Sequence, residues 1–206
     1  MRRAQGGSEV SLLKAPVTLT IIIVNVIVFV ADLLTNHALL AAGALYPPAV
    51  QAGEWWRLIT SGFLHYGFAH IGSNMLALAI AGPLVEYCYG GARYFAIYMI
   101  ALLGGSFLAF YTTLGTNAAT AGASGAIMGV FGAMVVLAFK LPRIREALLR
   151  TAVFPIILTI GYGFVNPGVS MAGHIGGLLA GSLAAFALDP VRGRELAPAQ
   201  DVPPSA

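Results

Sequence analysis

Six apolar segments separated by short polar links dominate this chain of 206 residues. They run roughly Val17–Leu34, Ala69–Tyr87, Tyr94–Leu114, Ala121–Phe139, Ala147–Phe164 and Val169–Leu188. Each is about long enough to cross a hydrocarbon layer as a helix. The basic residues alternate with them. Arg2, Arg3 and Lys14 precede the first segment, and Arg93 separates the second from the third. Lys140, Arg143, Arg145 and Arg150 surround the link between the fourth and fifth, and Arg192 and Arg194 follow the sixth. With the N-terminus inside, all of these are cytoplasmic and Arg57 alone is outside, which is the positive-inside pattern of a six-span protein with both ends in the cytoplasm. Charged residues make up only 9% of the chain against about 25% in soluble domains. The net charge of +3 follows from topology, and no nucleic-acid footprint is expected. One cysteine, Cys88, excludes an internal disulfide or a CxxC site.

The expected organisation is a cytoplasmic tail at 1–16, a six-helix domain at 17–189 and a disordered Pro/Ala-rich tail at 190–206. The first segment is expected to be retained as a span, since it is long for the apolar region of a signal peptide. Without a transit-like presequence, a bacterial or archaeal plasma membrane is the expected location. The longest link, about 37–68, contains Tyr46-Pro47-Pro48, expected to break regular structure, and Trp55-Trp56, expected at the outer membrane interface.

Two short segments carry chemistry. Gly122-Ala123-Ser124-Gly125 opens the fourth helix and Gly173-His174-Ile175-Gly176-Gly177 opens the sixth. If both helices start outside, Ser124 and His174 lie at one depth as candidate nucleophile and base. The N–H groups of a helix start could stabilise an oxyanion there. Alone, Gly-Ala-Ser-Gly reads more readily as a small-residue packing face, common in membrane helices. His174 is a candidate because ionisable groups inside spans are rare. The stripes Gly125, Gly129, Ala133 and Gly173, Gly177, Gly181, Ala185 would let the two helices approach closely. A third cluster, His65, His70 and Asn74, opens the second helix, with His70 and Asn74 on one face. Both can donate to an oxyanion. The His65–His70 spacing does not suit a helical metal pair, so no metal or other cofactor is expected. No acidic residue is placed beside the pair, which makes a Ser–His dyad the economical reading.

Trp56-Arg57, the His65–His70–Asn74 spacing, Gly122-x-Ser124-Gly125, and His174 with Gly177 and Gly181 are similar to the motifs of the rhomboid intramembrane serine proteases in their six-helix form. The resemblance covers nearly all of 17–188. It implies an all-α membrane bundle with Ser124 as nucleophile and His174 as general base. His70, Asn74 and the Ser124 N–H would form the oxyanion hole, with Gly122 and Gly125 beside it. His65, Trp56 and Arg57 would be structural, and Glu86 would make a polar contact near the cytoplasmic side. Substrate transmembrane helices would enter sideways from the lipid past the fifth helix. In many members an aromatic residue follows the serine by four positions, beneath the histidine; here Met128 stands there, packing through its thioether instead of a ring. An inactive relative that binds membrane helices is the alternative; it would need none of Ser124, His174, His70 and Asn74 together. A transporter would need midplane charges or repeated broken helices.

Overall fold

A computed structural model describes residues 10–165 and 169–192. Arg2, Arg3, Arg194, most of both expected tails and the link Asn166-Pro167-Gly168 between the fifth and sixth segments lie outside the described residues. The helices are α1 (Pro16–Leu34), α2 (Ala38–Gly43), α3 (Pro47–Gln51), α4 (Arg57–Thr60), α5 (Phe68–Tyr89), α6 (Gly91–Thr112), α7 (Ser124–Lys140), α8 (Arg145–Val165) and α9 (Met171–Ala187). The long ones, α1 and α5 to α9, fall on the six apolar segments. Three of them, α1, α5 and α6, are long and apolar enough to cross a membrane. The stretches Ser124–Lys140 and Pro142–Gly163 meet that standard only as a pair, and they are bent by 116° at the break before Pro142. α9 has 17 residues, or about 25 Å at 1.5 Å per residue.

The segment between α1 and α5 is ordered and partly helical, which corrects the expectation for Tyr46-Pro47-Pro48. Pro47 opens α3, where a proline loses no hydrogen bond because the first helical N–H groups have no intrahelical partner. Leu45, Val50 and Leu58 from this segment are buried with Ala109 of α6. Arg57 is buried, and its charge is taken up by the chain itself. Its Nη1 donates to the Ala41 and Ala44 carbonyls at 3.0 and 2.8 Å, and its Nε donates to Glu54 at 2.7 Å. The guanidinium thus satisfies carbonyls at the end of α2. Trp55 and Trp56 are exposed, as an interfacial pair would be.

The centre of the bundle is built on missing side chains. α9 packs along α6 and α7. A Cβ on Gly177 would overlap the Gly125 carbonyl, and one on Gly181 would overlap Gly129. The expected stripes are therefore the α7–α9 contact. α6 adds a pair the sequence reading missed: a Cβ on Gly105 would meet the Gly173 carbonyl at 2.7 Å, and one on Gly176 the Gly104 carbonyl at 2.6 Å. Outward faces are apolar, with Ile27, Leu76, Phe107, Ile157 and Leu183 exposed. That surface suits lipid and would be unfavourable in water.

Two further charged side chains secure helix ends. Glu86 accepts from the Val17 and Thr18 N–H groups and from Thr18 Oγ1 at 2.7–2.9 Å, capping α1. Lys140 Nζ donates to the carbonyls of Ala185, Phe186 and Leu188 at 3.2, 2.8 and 2.6 Å, closing the C-terminus of α9. Lys140→Met removes these charge-assisted bonds and is expected to lower stability by about 1.5–3 kcal/mol, read as thermal unfolding in detergent.

Candidate active site

The link from α6 to α7 reaches its helix through a pinned backbone. Leu45 and Thr120 exchange two hydrogen bonds at 2.9 Å, and Gly122 N–H donates to the Ser61 carbonyl at 2.9 Å. Gly122 has φ +137°, a conformation that an L side chain rarely adopts. Ala123 N–H donates to His65 Nε2 at 3.5 Å. His65 is buried, and burial together with the neighbouring His70 pushes its pKa down to about 4, so it is a neutral acceptor at ordinary pH. These bonds deliver Ser124 as the first residue of α7. Its own N–H, at the first position of the helix, has no intrahelical partner.

His174 is set from the other side. Ser170 caps α9, its hydroxyl accepting from Gly173 N–H at 3.1 Å and its carbonyl accepting from His174 N–H. The imidazole thus leaves the first turn of α9 towards α7, across the glycine contact. His174 Nε2 and Ser124 Oγ are 2.7 Å apart. One hydrogen lies between them, and if the hydroxyl donates it, the ring proton sits on Nδ1. Nδ1 has no hydrogen-bond partner among the described residues.

Both side chains face one cavity of about 860 Å³ that His70, Asn74 and Met128 also line. Phe154, Leu158 and Tyr162 of α8 also line it. His70 reaches the Ser124 side because Gly122 has no side chain: a Cβ there would stand 2.8 Å from His70 Nε2 and 3.7 Å from Ser124 Oγ. Asn74 is 6% exposed, and its Nδ2 has no partner among the described residues. A buried amide donor left open in a cavity costs free energy unless something else accepts from it. Met128 is buried and lines the same cavity. Of the residues expected at the site, Ser124, His174, His70, Asn74, Gly122, Gly125 and Met128 surround the cavity. His65 stands behind them on the backbone of Ala123. Trp56 and Arg57 hold the first loop, with Trp56 Nε1 donating to the Ala42 carbonyl. Ser61 and Tyr66 were missed by the sequence reading. Their roles arise from contacts with distant backbone, which no local spacing encodes.

The arrangement offers a hydroxyl in hydrogen-bond contact with an imidazole and several N–H donors converging on one cavity. Comparison with known proteins agrees with the motifs. A family model described as Rhomboid domain matches residues 52–190. The chain is 40% identical over 157 residues to "Rhomboid protease GluP" of Bacillus subtilis, covering 74% of this chain and 30% of that protein. It is 31% identical over 201 residues to "Rhomboid protease AarA" of Providencia stuartii, covering 82% of this chain and 71% of that protein. It is 37% identical over 149 residues to "RHOMBOID-like protein 5" of Arabidopsis thaliana, covering 71% of this chain and 48% of that protein. The chain therefore spans less than half the length of two of these three relatives. With its apolar helices, glycine-packed core and a domain match over most of its length, this multi-pass membrane protein belongs to the rhomboid family.

Proposed function

We propose that this chain is an intramembrane serine endopeptidase that cleaves transmembrane helices through a Ser124–His174 dyad. The observation that carries the reading is the 2.7 Å contact between Ser124 Oγ and His174 Nε2, facing a cavity lined by open N–H donors. His174 takes the hydroxyl proton as Ser124 Oγ attacks the scissile carbonyl carbon, and the carbonyl oxygen becomes an oxyanion. The Ser124 N–H, Asn74 Nδ2 and His70 donate to that oxyanion. The intermediate collapses, the C–N bond breaks, and His174 passes its proton to the leaving amine. A water, deprotonated by His174, then hydrolyses the acyl-enzyme and frees Ser124.

Six helices cross the plasma membrane with both termini cytoplasmic, so the site opens to the extracytoplasmic side, where water reaches it. Residues 17–189 form the protease domain. The substrate leaves the bilayer laterally past α8, whose Phe154, Leu158 and Tyr162 separate the cavity from lipid. No metal or other cofactor takes part.

A serine-reactive fluorophosphonate probe tests the nucleophile directly. Wild type is expected to be labelled at Ser124 and Ser124→Ala to stay unlabelled; labelling of both equally would refute the assignment. Asn74→Ala is expected to lower kcat by about 10²–10³-fold with KM little changed, because its donor matters when the oxyanion forms. Steady-state cleavage in lipid vesicles reads this.

A further inference from the structure

Tyr66 sits where the first loop, the start of α5 and the α6–α7 link meet. Its ring lies nearly parallel to the His70 ring, 8° from coplanar, with centroids 6.2 Å apart. Its hydroxyl donates to the Ala119 carbonyl at 2.9 Å. His65 meets the same His70 ring edge-on, centroids 5.1 Å apart. Gly122 closes against the His70 Cε1 and Nε2 atoms. The His70 imidazole is therefore bounded by one stacked ring, one edge-on ring and one glycine.

Tyr66 is 48% exposed, so it contributes little to the core. An aromatic at this level of a membrane protein is usually an interfacial anchor. An anchor would have no reason to lie parallel to a half-buried histidine or to spend its hydroxyl on a protein carbonyl. Here the stack fixes the plane of the His70 ring, and the hydroxyl fixes the stack to the link that leads to Ser124.

We propose that Tyr66 is a positioning residue for His70: tethered to Ala119, it holds the His70 ring in the plane that keeps Nε2 beside Gly122 and Ser124. The catalytic part of this inference rests on the reading of His70 as an oxyanion donor. Tyr66 then acts on the rate through His70 and need not touch the substrate. Tyr66→Phe keeps the ring and loses the tether; Tyr66→Leu loses both.

The test combines kinetics with a direct view of the ring. In lipid vesicles, Tyr66→Leu is expected to lower kcat roughly three- to tenfold with KM within about twofold, and Tyr66→Phe to fall between it and wild type. In a His70→Ala background, Tyr66→Leu should cost nothing further, because there is no longer a ring to orient. The chain has only four histidines, so the His70 ring C–H resonances can be assigned by their loss in His70→Ala. Tyr66→Leu should shift them as the stacked ring's current is removed. Wild-type kcat in Tyr66→Leu, or losses that multiply in the His70→Ala background, would overturn the proposal. If His70→Ala itself cleaves like wild type, the oxyanion reading of His70 has failed, and the His70 resonances in Tyr66→Phe, which keeps the ring and its current but loses the tether, decide whether Tyr66 orients the ring. An unmoved resonance then rejects the positioning role.

Discussion

Ser124→Ala and His174→Ala are each expected to reduce cleavage of a single-span substrate in lipid vesicles to below about 10⁻⁴ of wild type. The two side chains are 2.7 Å apart, and in the proposed mechanism they act on one proton, so neither is useful without the other. The double variant should therefore be no slower than either single one. Stability should change little. Ser124→Ala removes one small hydroxyl beside a cavity, worth about 1 kcal/mol at most as a hydrogen bond. Unfolding temperatures near wild type, with cleavage gone, would locate the loss in chemistry. Cleavage surviving in purified Ser124→Ala at more than a few per cent would reject the mechanism.

Much of this was legible from two kinds of pattern. Apolar length and basic flanks placed the long helices, because the bilayer imposes both on any spanning segment. The glycine stripes anticipated the α7–α9 contact, since close backbone approach requires absent side chains at a four-residue spacing. Ser124 and His174 followed because each begins a helix on one face of that contact. What the letters hid was long-range and backbone-directed. Pro47 and Pro48 look like a break, yet they start α3, because proline is tolerated where no helical N–H is needed. The Ser61 carbonyl that holds Gly122, and the Ala119 carbonyl that holds Tyr66, carry no side-chain signature at all. Gly104 and Gly105 of α6 lie on no conspicuous stripe, yet both meet α9.

The geometry of the site should be as sensitive to one methyl group in the helix contact as to Ser124 and His174 themselves. At Gly177 the backbone of α7 occupies the space a Cβ would need: the Gly125 carbonyl lies inside that volume, with the Gly125 Cα at 3.0 Å. Backbone cannot rotate away as a side chain tip can. Gly177→Ala must therefore push α7 and α9 apart near the residues that carry Ser124 and His174. A separation of an ångström would break a 2.7 Å hydrogen bond and displace the imidazole from the hydroxyl. The overpacking itself should cost about 1–3 kcal/mol or more. Gly177→Ala is expected to unfold at lower temperature in detergent and to lose most fluorophosphonate labelling of Ser124, although no catalytic group has changed. Gly72 supplies the contrast. It is helical in α5, but a Cβ there meets nothing within 4 Å. Gly72→Ala should leave labelling intact and hold or raise stability by up to about 1 kcal/mol, since alanine restricts the unfolded chain. The same atom added to two helical glycines should thus have opposite effects. If Gly177→Ala labels and melts like wild type, α7 and α9 do not meet through backbone, and the helix contact that unites serine and histidine is wrong.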